Sequence, residues 1–296
     1  MLLSAAFARK PRGDQTVASN PGAALGIELT AVTKRFVNPK GEVFTALIDV
    51  NLTIEPGQFC AVVGPTGCGK STTLTMVAGL DQPTAGVVRV GARPVQGIAR
   101  GTSFMFQTDA LLPWKNVLGN VAMGPVFRGV RKHEAQAAAR EWLRRVGLAG
   151  FEDHLPHQLS GGMRKRVSLA AALINDPSIL LMDEPFGALD VQTKAIMSNE
   201  LLGLWEQTRP SVVFVTHDLE EAIALSDRVV VITAGPGTVK GIYEVDLPRP
   251  RGAVQEIRFE PRFLELQLQI WESLREEVDR AYTRTTTVSA SAGESA

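Results

Sequence analysis

The eight residues Gly64-Pro65-Thr66-Gly67-Cys68-Gly69-Lys70-Ser71 fit the spacing G-x-x-x-x-G-K-[ST]. Glycines at that spacing let the backbone curl until successive N–H groups face one anionic centre, and a helix starting near Lys70 adds the positive end of its dipole. Lys70 is placed to reach the β- and γ-phosphates of a nucleotide, and the Ser71 hydroxyl to ligate Mg²⁺. A Gly-rich turn also arises without such a role; a strand directly before it and a helix directly after it separate the two cases. Further along, Ile179-Leu180-Leu181-Met182-Asp183-Glu184 is an apolar run ending in two acids. At the carboxyl end of a parallel strand, Asp183 would hold Mg²⁺ directly or through water. Glu184, one residue further out, would orient and polarise an attacking water. Two solvated strand-end acids are the plain alternative, and the phosphate loop in the same chain argues against it. Gln107, after Phe104-Met105-Phe106, and His217, after Val212 to Thr216, leave apolar runs in the same manner, where a γ-phosphate sensor belongs. Taken singly, each is also an ordinary strand-end polar residue.

These groups need a sheet to bring them together. Phe59-Cys60-Ala61-Val62-Val63 is a continuous apolar run of the buried parallel kind, leading into the glycine loop and then a helix from Ser71 to Ala78 that Gly79 ends. Before it, Ile27 to Val32 alternates as a strand, and Val43 to Ile54 offers more strand material. Between Asp109 and Asp176 the texture turns helical, with Ala135 to Val146 and Gly161 to Ile174 carrying helix formers at helical spacing. Strands return at Ile179 to Met182, Val212 to Val215 and Arg228 to Thr233, the first two separated by a helix from about Val191 to Gln207. This alternation implies a parallel α/β core with a helical insertion. Leu247-Pro248-Arg249-Pro250-Arg251 breaks the pattern as a linker, and a final amphipathic helix is expected to turn Leu264, Leu268, Trp271, Leu274 and Val278 to one face.

The bulk numbers exclude several classes. Over 296 residues, 31 Lys and Arg balance 31 Asp and Glu, so the basic field that a nucleic-acid partner requires is missing. No segment approaches the roughly 20 apolar residues that cross a bilayer, so membrane association must pass through a partner. The two cysteines, Cys60 in an apolar strand and Cys68 in the glycine loop, make a mutual structural disulfide an unsuitable reading and favour a reducing compartment. The charges at the N-terminus follow its short apolar start, which is the wrong order for a secretory signal. Its acid-poor beginning is shared with organellar transit peptides, but residues 1–24 read more simply as a disordered leader.

Leu159-Ser160-Gly161-Gly162-Met163 narrows the field. By itself it is a Ser-capped helix start whose glycines let backbone amides approach an anion. In order, however, the glycine loop, Gln107, LSGGM, ILLMDEP, Ala188-Leu189-Asp190 and Thr216-His217-Asp218 resemble the full motif set of the ATP-binding-cassette (ABC) ATPases, over roughly Glu28 to Thr233. The resemblance implies a P-loop NTPase core with an antiparallel β subdomain and an inserted α-helical subdomain. The ATPase domain would span 25–245, with the insertion at about 109–176. A linker and amphipathic helix would follow at 246–282, and a disordered tail at 283–296. It also implies that Phe36 stacks on adenine, where the family more often has Tyr. Lys70, Ser71 and Thr72 would contact phosphate and Mg²⁺, Gln107 would touch Mg²⁺ and report to a membrane partner, and Glu184 would be the catalytic base. Asp190 would be the D-loop residue at the nucleotide site, and His217 would be the switch histidine. Ser160, Gly161 and Gly162 would close the ATP site of a second copy, so a head-to-tail dimer is expected. Lys165 departs from the family, which usually has Gln there; it is expected to remain solvated, with some scope for altering affinity for the facing nucleotide.

A cassette without a fused membrane region resembles the bacterial importers, in which separate permeases span the membrane. Leu111-Leu112-Pro113-Trp114, followed by Asn116-Val117 and Gly119-Asn120-Val121, is similar to the nitrate, sulfonate and taurine importer group, as is Leu247 to Arg251. The resemblance places the chain on the cytoplasmic face of a bacterial inner membrane. There it would take ATP and Mg²⁺ and act indirectly on behalf of a periplasmic solute-binding protein. Trp114 would help form the groove for the permease, or else be core of the insertion. A different importer or lipid-transport system, or a soluble ABC ATPase outside transport, remain the alternatives.

Overall fold

The computed structural model describes residues 23–187 and 189–293, with side chains followed as far as Thr283. The expected leader falls almost wholly outside the described residues. The chain begins with an antiparallel hairpin, β1 (Ile27–Val37) and β2 (Val43–Ile54), paired from Ile27↔Ile54 to Val37↔Val43. The Asn38 side chain closes its turn by accepting from the amides of Lys40 and Glu42. Next come β3 (Phe59–Val63), buried at every position, and α1 (Lys70–Ala78), which Gly79 ends in a left-handed conformation. β4 (Ala85–Val90) pairs with β1, and β5 (Arg93–Pro94) completes a small antiparallel sheet of order β2-β1-β4-β5.

β6 (Thr102–Met105) enters a second sheet and is followed by the helical insertion: α2 (Val117–Phe127), α3 (Lys132–Arg145) and α4 (Gly161–Leu173). The chain then runs through β7 (Ile179–Asp183), α5 (Val191–Thr208), β8 (Ser211–Val215), α6 (Leu219–Leu225), β9 (Arg228–Ile232) and β10 (Val239–Glu244). α7 (Val254–Ile257) and α8 (Pro261–Gly293) end it. The second sheet has the order β10-β9-β3-β8-β7-β6, parallel except for β10. Its strands β3, β7 and β8 are buried at every position and, apart from Asp183 and Ser211 at strand ends, apolar, because both faces are covered.

One face packs on α5, α6 and α8, with Phe59, Phe214, Trp205, Phe186 and Phe263 fully buried. The Phe59 and Trp205 rings meet edge to face at 5.4 Å, and the indole N–H donates to the Pro210 carbonyl. The other face meets α1 and the antiparallel sheet, while the insertion has its own core around Val117, Val121, Leu143 and Val167.

The C-terminal region differs from its sequence reading. Leu247 to Arg251 is clamped to the body: Arg249 lies 4.4 Å over the Trp205 ring and pairs with Asp227 at 2.7 Å. Arg251 donates to the carbonyls of Ile223 and Ala224 at the end of α6. Burial pushes the Arg251 guanidinium down to about 10, still charged near neutrality. α8 buries Phe263, Leu266 and Ile270, whereas Leu264, Leu268, Trp271 and Val278 of the expected face are exposed. Leu274 alone of that set packs on the core. The helix also continues to Gly293, through most of the stretch expected as a disordered tail. Residues 294–296 lie outside the described residues.

Candidate functional site

The sheet order puts the carboxyl ends of β3, β8, β7 and β6 side by side, and each end releases one chemically useful segment on the same edge. The register Val62↔Val215, Asp183↔Val215 and Met105↔Met182 sets their heights. The glycine loop therefore opens directly beside Asp183, Glu184, His217 and Gln107.

Within the loop, Gly64, Pro65, Cys68 and Lys70 are buried and Thr66 and Gly67 face outward. Gly69 begins α1 at φ 98°, and a Cβ there would lie 2.5 Å from Leu47 Cδ2. Both backbone and space demand glycine. The Lys70 ammonium folds back to donate to the carbonyls of Gly64 (2.8 Å) and Pro65 (2.9 Å). Phosphate oxygens would offer it charge-assisted partners in place of these neutral ones. Burial pushes the Cys68 thiol up, so it is packing rather than a nucleophile. Cys60 and Cys68 are both free.

The acids separate by environment. Asp183 is 9% exposed, and its Oδ1 accepts from the Ser71 hydroxyl at 3.1 Å. Burial pushes its carboxyl above the usual range, while the Ser71 hydrogen bond and the Lys70 charge pull the other way. A hard cation fits this pair of oxygen donors and would supply the positive charge that the buried carboxylate lacks. Thr72 follows half-buried on α1. Glu184 sits at φ 42°, a left-handed conformation costly for a residue with a Cβ, with its amide tied to the Val215 carbonyl at 2.9 Å. Its Oε2 accepts from the Gln107 amide at 3.0 Å and lies 3.6 Å from His217 Nδ1. Gln107, expected also as a metal contact, is thus engaged with Glu184. The segment carrying His217 is held by Thr216, whose hydroxyl donates to the buried Glu221 at 2.6 Å. Asp218, which caps α6, pairs with Lys194. Glu221 and Lys194 escaped sequence reading; the spacing of Asp218 and Glu221 around a helix start was the available signal.

Ser160 caps α4 by accepting from the Met163 amide. A Cβ on Gly162 would lie 2.8 Å from Thr193 Cγ2, so the starts of α4 and α5 pack closely. Ser160, Gly161, Gly162, Met163 and Asp190 line a cavity of about 540 Å³. Among the described residues, no hydrogen bond joins Ser160–Gly162 to the glycine loop of the same chain. Asp190 caps α5, and the amide of Thr193 holds its carboxyl below the usual range. Phe36 is 41% exposed on β1, two residues beyond the Lys34↔Leu47 pair, and Leu47 is the residue that touches Gly69. The hairpin thus extends an aromatic face past the glycine loop.

One expectation changes and one alternative falls away. Lys165 is 4% exposed, and its ammonium donates to the Gln107 carbonyl at 2.7 Å rather than meeting solvent. Trp114 is 74% exposed and is not core of the insertion. It stands on a loop pinned by the buried Asn120, whose amide bonds the backbone of Leu112 and Lys115.

Comparison with known proteins gives a match to the ABC transporter family over residues 47–187. An uncharacterized ABC transporter ATP-binding protein of Methanocaldococcus jannaschii is 47% identical, with 79% of this chain and 85% of that protein aligned. The taurine import ATP-binding protein of Burkholderia thailandensis is 42% identical over 79% of this chain and 92% of that one. The nitrate import ATP-binding protein of Synechococcus elongatus is 41% identical over 82% and 89%. Among solved structures, a dimeric ATP-binding cassette in a post-hydrolysis state with ADP and Pi superposes with a TM-score of 0.67. It is 33% identical, over 76% of this chain and 99% of that one.

Proposed function

Because this chain belongs to the ABC transporter family, we propose that it is the ATP-hydrolysing subunit of an importer, working as a head-to-tail pair beneath a separate membrane permease. The observation that carries the catalytic part is the placement of the Glu184 carboxylate. It lies between the Gln107 amide and His217, one residue beyond the Asp183–Ser71 pair. In this reading the glycine loop and Lys70 bind the phosphates of ATP and Phe36 stacks on its base. Glu184 orients and polarises the attacking water, while His217 contacts the γ-phosphate. Mg²⁺, held by Ser71 and Asp183 with Gln107 nearby, would neutralise phosphate charge. Ser160, Gly161, Gly162 and Asp190 serve the second copy.

The likeness to taurine and nitrate import proteins supports a small anionic or organosulfur solute. The exposed Trp114 beside the insertion supports docking of a permease. Among the described residues, no helix is long and apolar enough to cross a membrane. The chain would therefore reach the cytoplasmic face of the membrane through that permease. The C-terminal segment from 246 onward is proposed as an extension of the ATPase body, since α8 shares its core.

Glu184→Gln tests the core of this reading. The variant should bind ATP with near-native affinity, accumulate as a dimer on size exclusion, and lose hydrolysis by about 10² to 10⁴-fold. Undiminished turnover would remove Glu184 from the role of base. Detergent extracts of the native membrane should yield this chain together with a hydrophobic permease; recovery with nucleic acid instead would refute the importer.

A further inference from the structure

We propose that Lys165 is a positioning residue that ties α4 to the backbone of Gln107, so that the helix presenting Ser160–Gly162 also sets the catalytic geometry of its own chain. This rests on the ATPase reading above. The first turn of α4 faces the cavity it shares with Asp190. One turn later, Lys165 points inward, its ammonium 2.7 Å from the Gln107 carbonyl and 3.1 Å from Asp109 Oδ1. Arg164 reinforces the same segment, with its Nε 2.9 Å from Asp109 Oδ2 and another guanidinium nitrogen on the Leu159 carbonyl at 2.8 Å.

Gln107 is thus gripped at both ends. Its backbone carbonyl accepts from Lys165, and its side-chain amide donates to Glu184 at 3.0 Å. A displacement of α4 therefore reaches Glu184 through two hydrogen bonds and one residue. Space-filling does not explain the lysine. Val167, Leu169, Ala172 and Leu173 make the buried side of α4 apolar, and an ammonium taken out of water there is costly unless its partners are held for a reason. If Ser160–Gly162 meet the nucleotide of a second copy, Lys165 makes each chain's Gln107 and Glu184 respond to the ATP bound opposite.

The test compares wild type with Lys165→Met, Lys165→Gln and Asp109→Asn in the full chain. Lys165→Met keeps the side chain's length and removes the charge. It should lower kcat by about 10- to 100-fold, as small misplacements of catalytic groups do, while KM and equilibrium ATP binding stay within about twofold. Its Hill coefficient for ATP should fall toward 1, and amide hydrogen exchange over residues 106–110 should rise. Lys165→Gln, which retains a donor for the carbonyl but no charge for Asp109, should lie between, as should Asp109→Asn. Native kcat and Hill coefficient in Lys165→Met, or unchanged exchange at 106–110, would overturn the proposal. Should Lys165→Met fail to fold, the same readouts on the other two variants decide. A wild-type chain that hydrolyses no ATP at any concentration would sink the ATPase reading instead; the exchange measurement still reports separately on the tether.

Discussion

At the scale of single residues, the glycine loop is shaped as much by its neighbours as by its own composition. Gly69 meets two demands at once, a φ of 98° and the approach of Leu47 from β2. Gly69→Ala therefore both strains the backbone and pushes the hairpin away. The variant should lose about 1–3 kcal/mol of stability by denaturant titration and bind ATP at least tenfold more weakly. Loss of stability with native ATP affinity would show that the loop can re-form around a side chain. The pattern G-x-x-x-x-G-K-[ST] announces this loop in the sequence, but the contact with Leu47 lies 22 positions away and leaves no local mark. The burial of Lys165 is hidden from the sequence for a related reason. A lysine in a helix reads as solvated until the buried carbonyl and carboxylate it faces are known.

At the scale of elements, α8 is secured to the β9–β10 hairpin by one buried acid. Glu277 is 1% exposed; it accepts from the Ala234 amide at 2.9 Å and pairs with Lys240 at 2.9 Å and Arg280 at 3.0 Å. Burial alone would raise its carboxyl, but those partners outweigh burial and the net shift is downward from 4.5. A depressed carboxyl contributes stability above its unfolded value and loses it as the pH falls through the folded one. Glu277→Ala should cost about 3 kcal/mol near neutrality, and the difference from wild type should shrink below about pH 4.5. A difference independent of pH would assign the loss to packing rather than charge. The element itself was legible in the sequence, but its orientation was not. Leu264, Leu268 and Trp271 make as good a helical stripe as Phe263, Leu266 and Ile270, and only the surfaces of α6 and β10 decide between them. The buried strands read well because burial on both faces writes itself as an unbroken apolar run, as in Phe59 to Val63. α2 did not, because Gly119, Gly124 and Pro125 interrupt any helical signature.

At the scale of the whole molecule, the sheet edge carrying Gln107, Asp183, Glu184 and His217 and the Ser160–Gly162 surface belong to one chain and, in the proposed pairing, to two different ATP sites. Turnover per chain should consequently rise with protein concentration while ATP binding does not. A rate per chain constant across a hundredfold dilution would contradict the pairing. The arrangement has a genetic side. A chain with Lys70 replaced but Ser160–Gly162 and Asp190 intact would still pair, and each such partner would withdraw a working chain from service. If such copies make up half of the pool, only about a quarter of random pairs are wholly native. Inactivating alleles at the nucleotide loop should therefore be dominant over the wild-type gene when co-expressed. Alleles that prevent folding, which leave nothing to pair with, should be recessive.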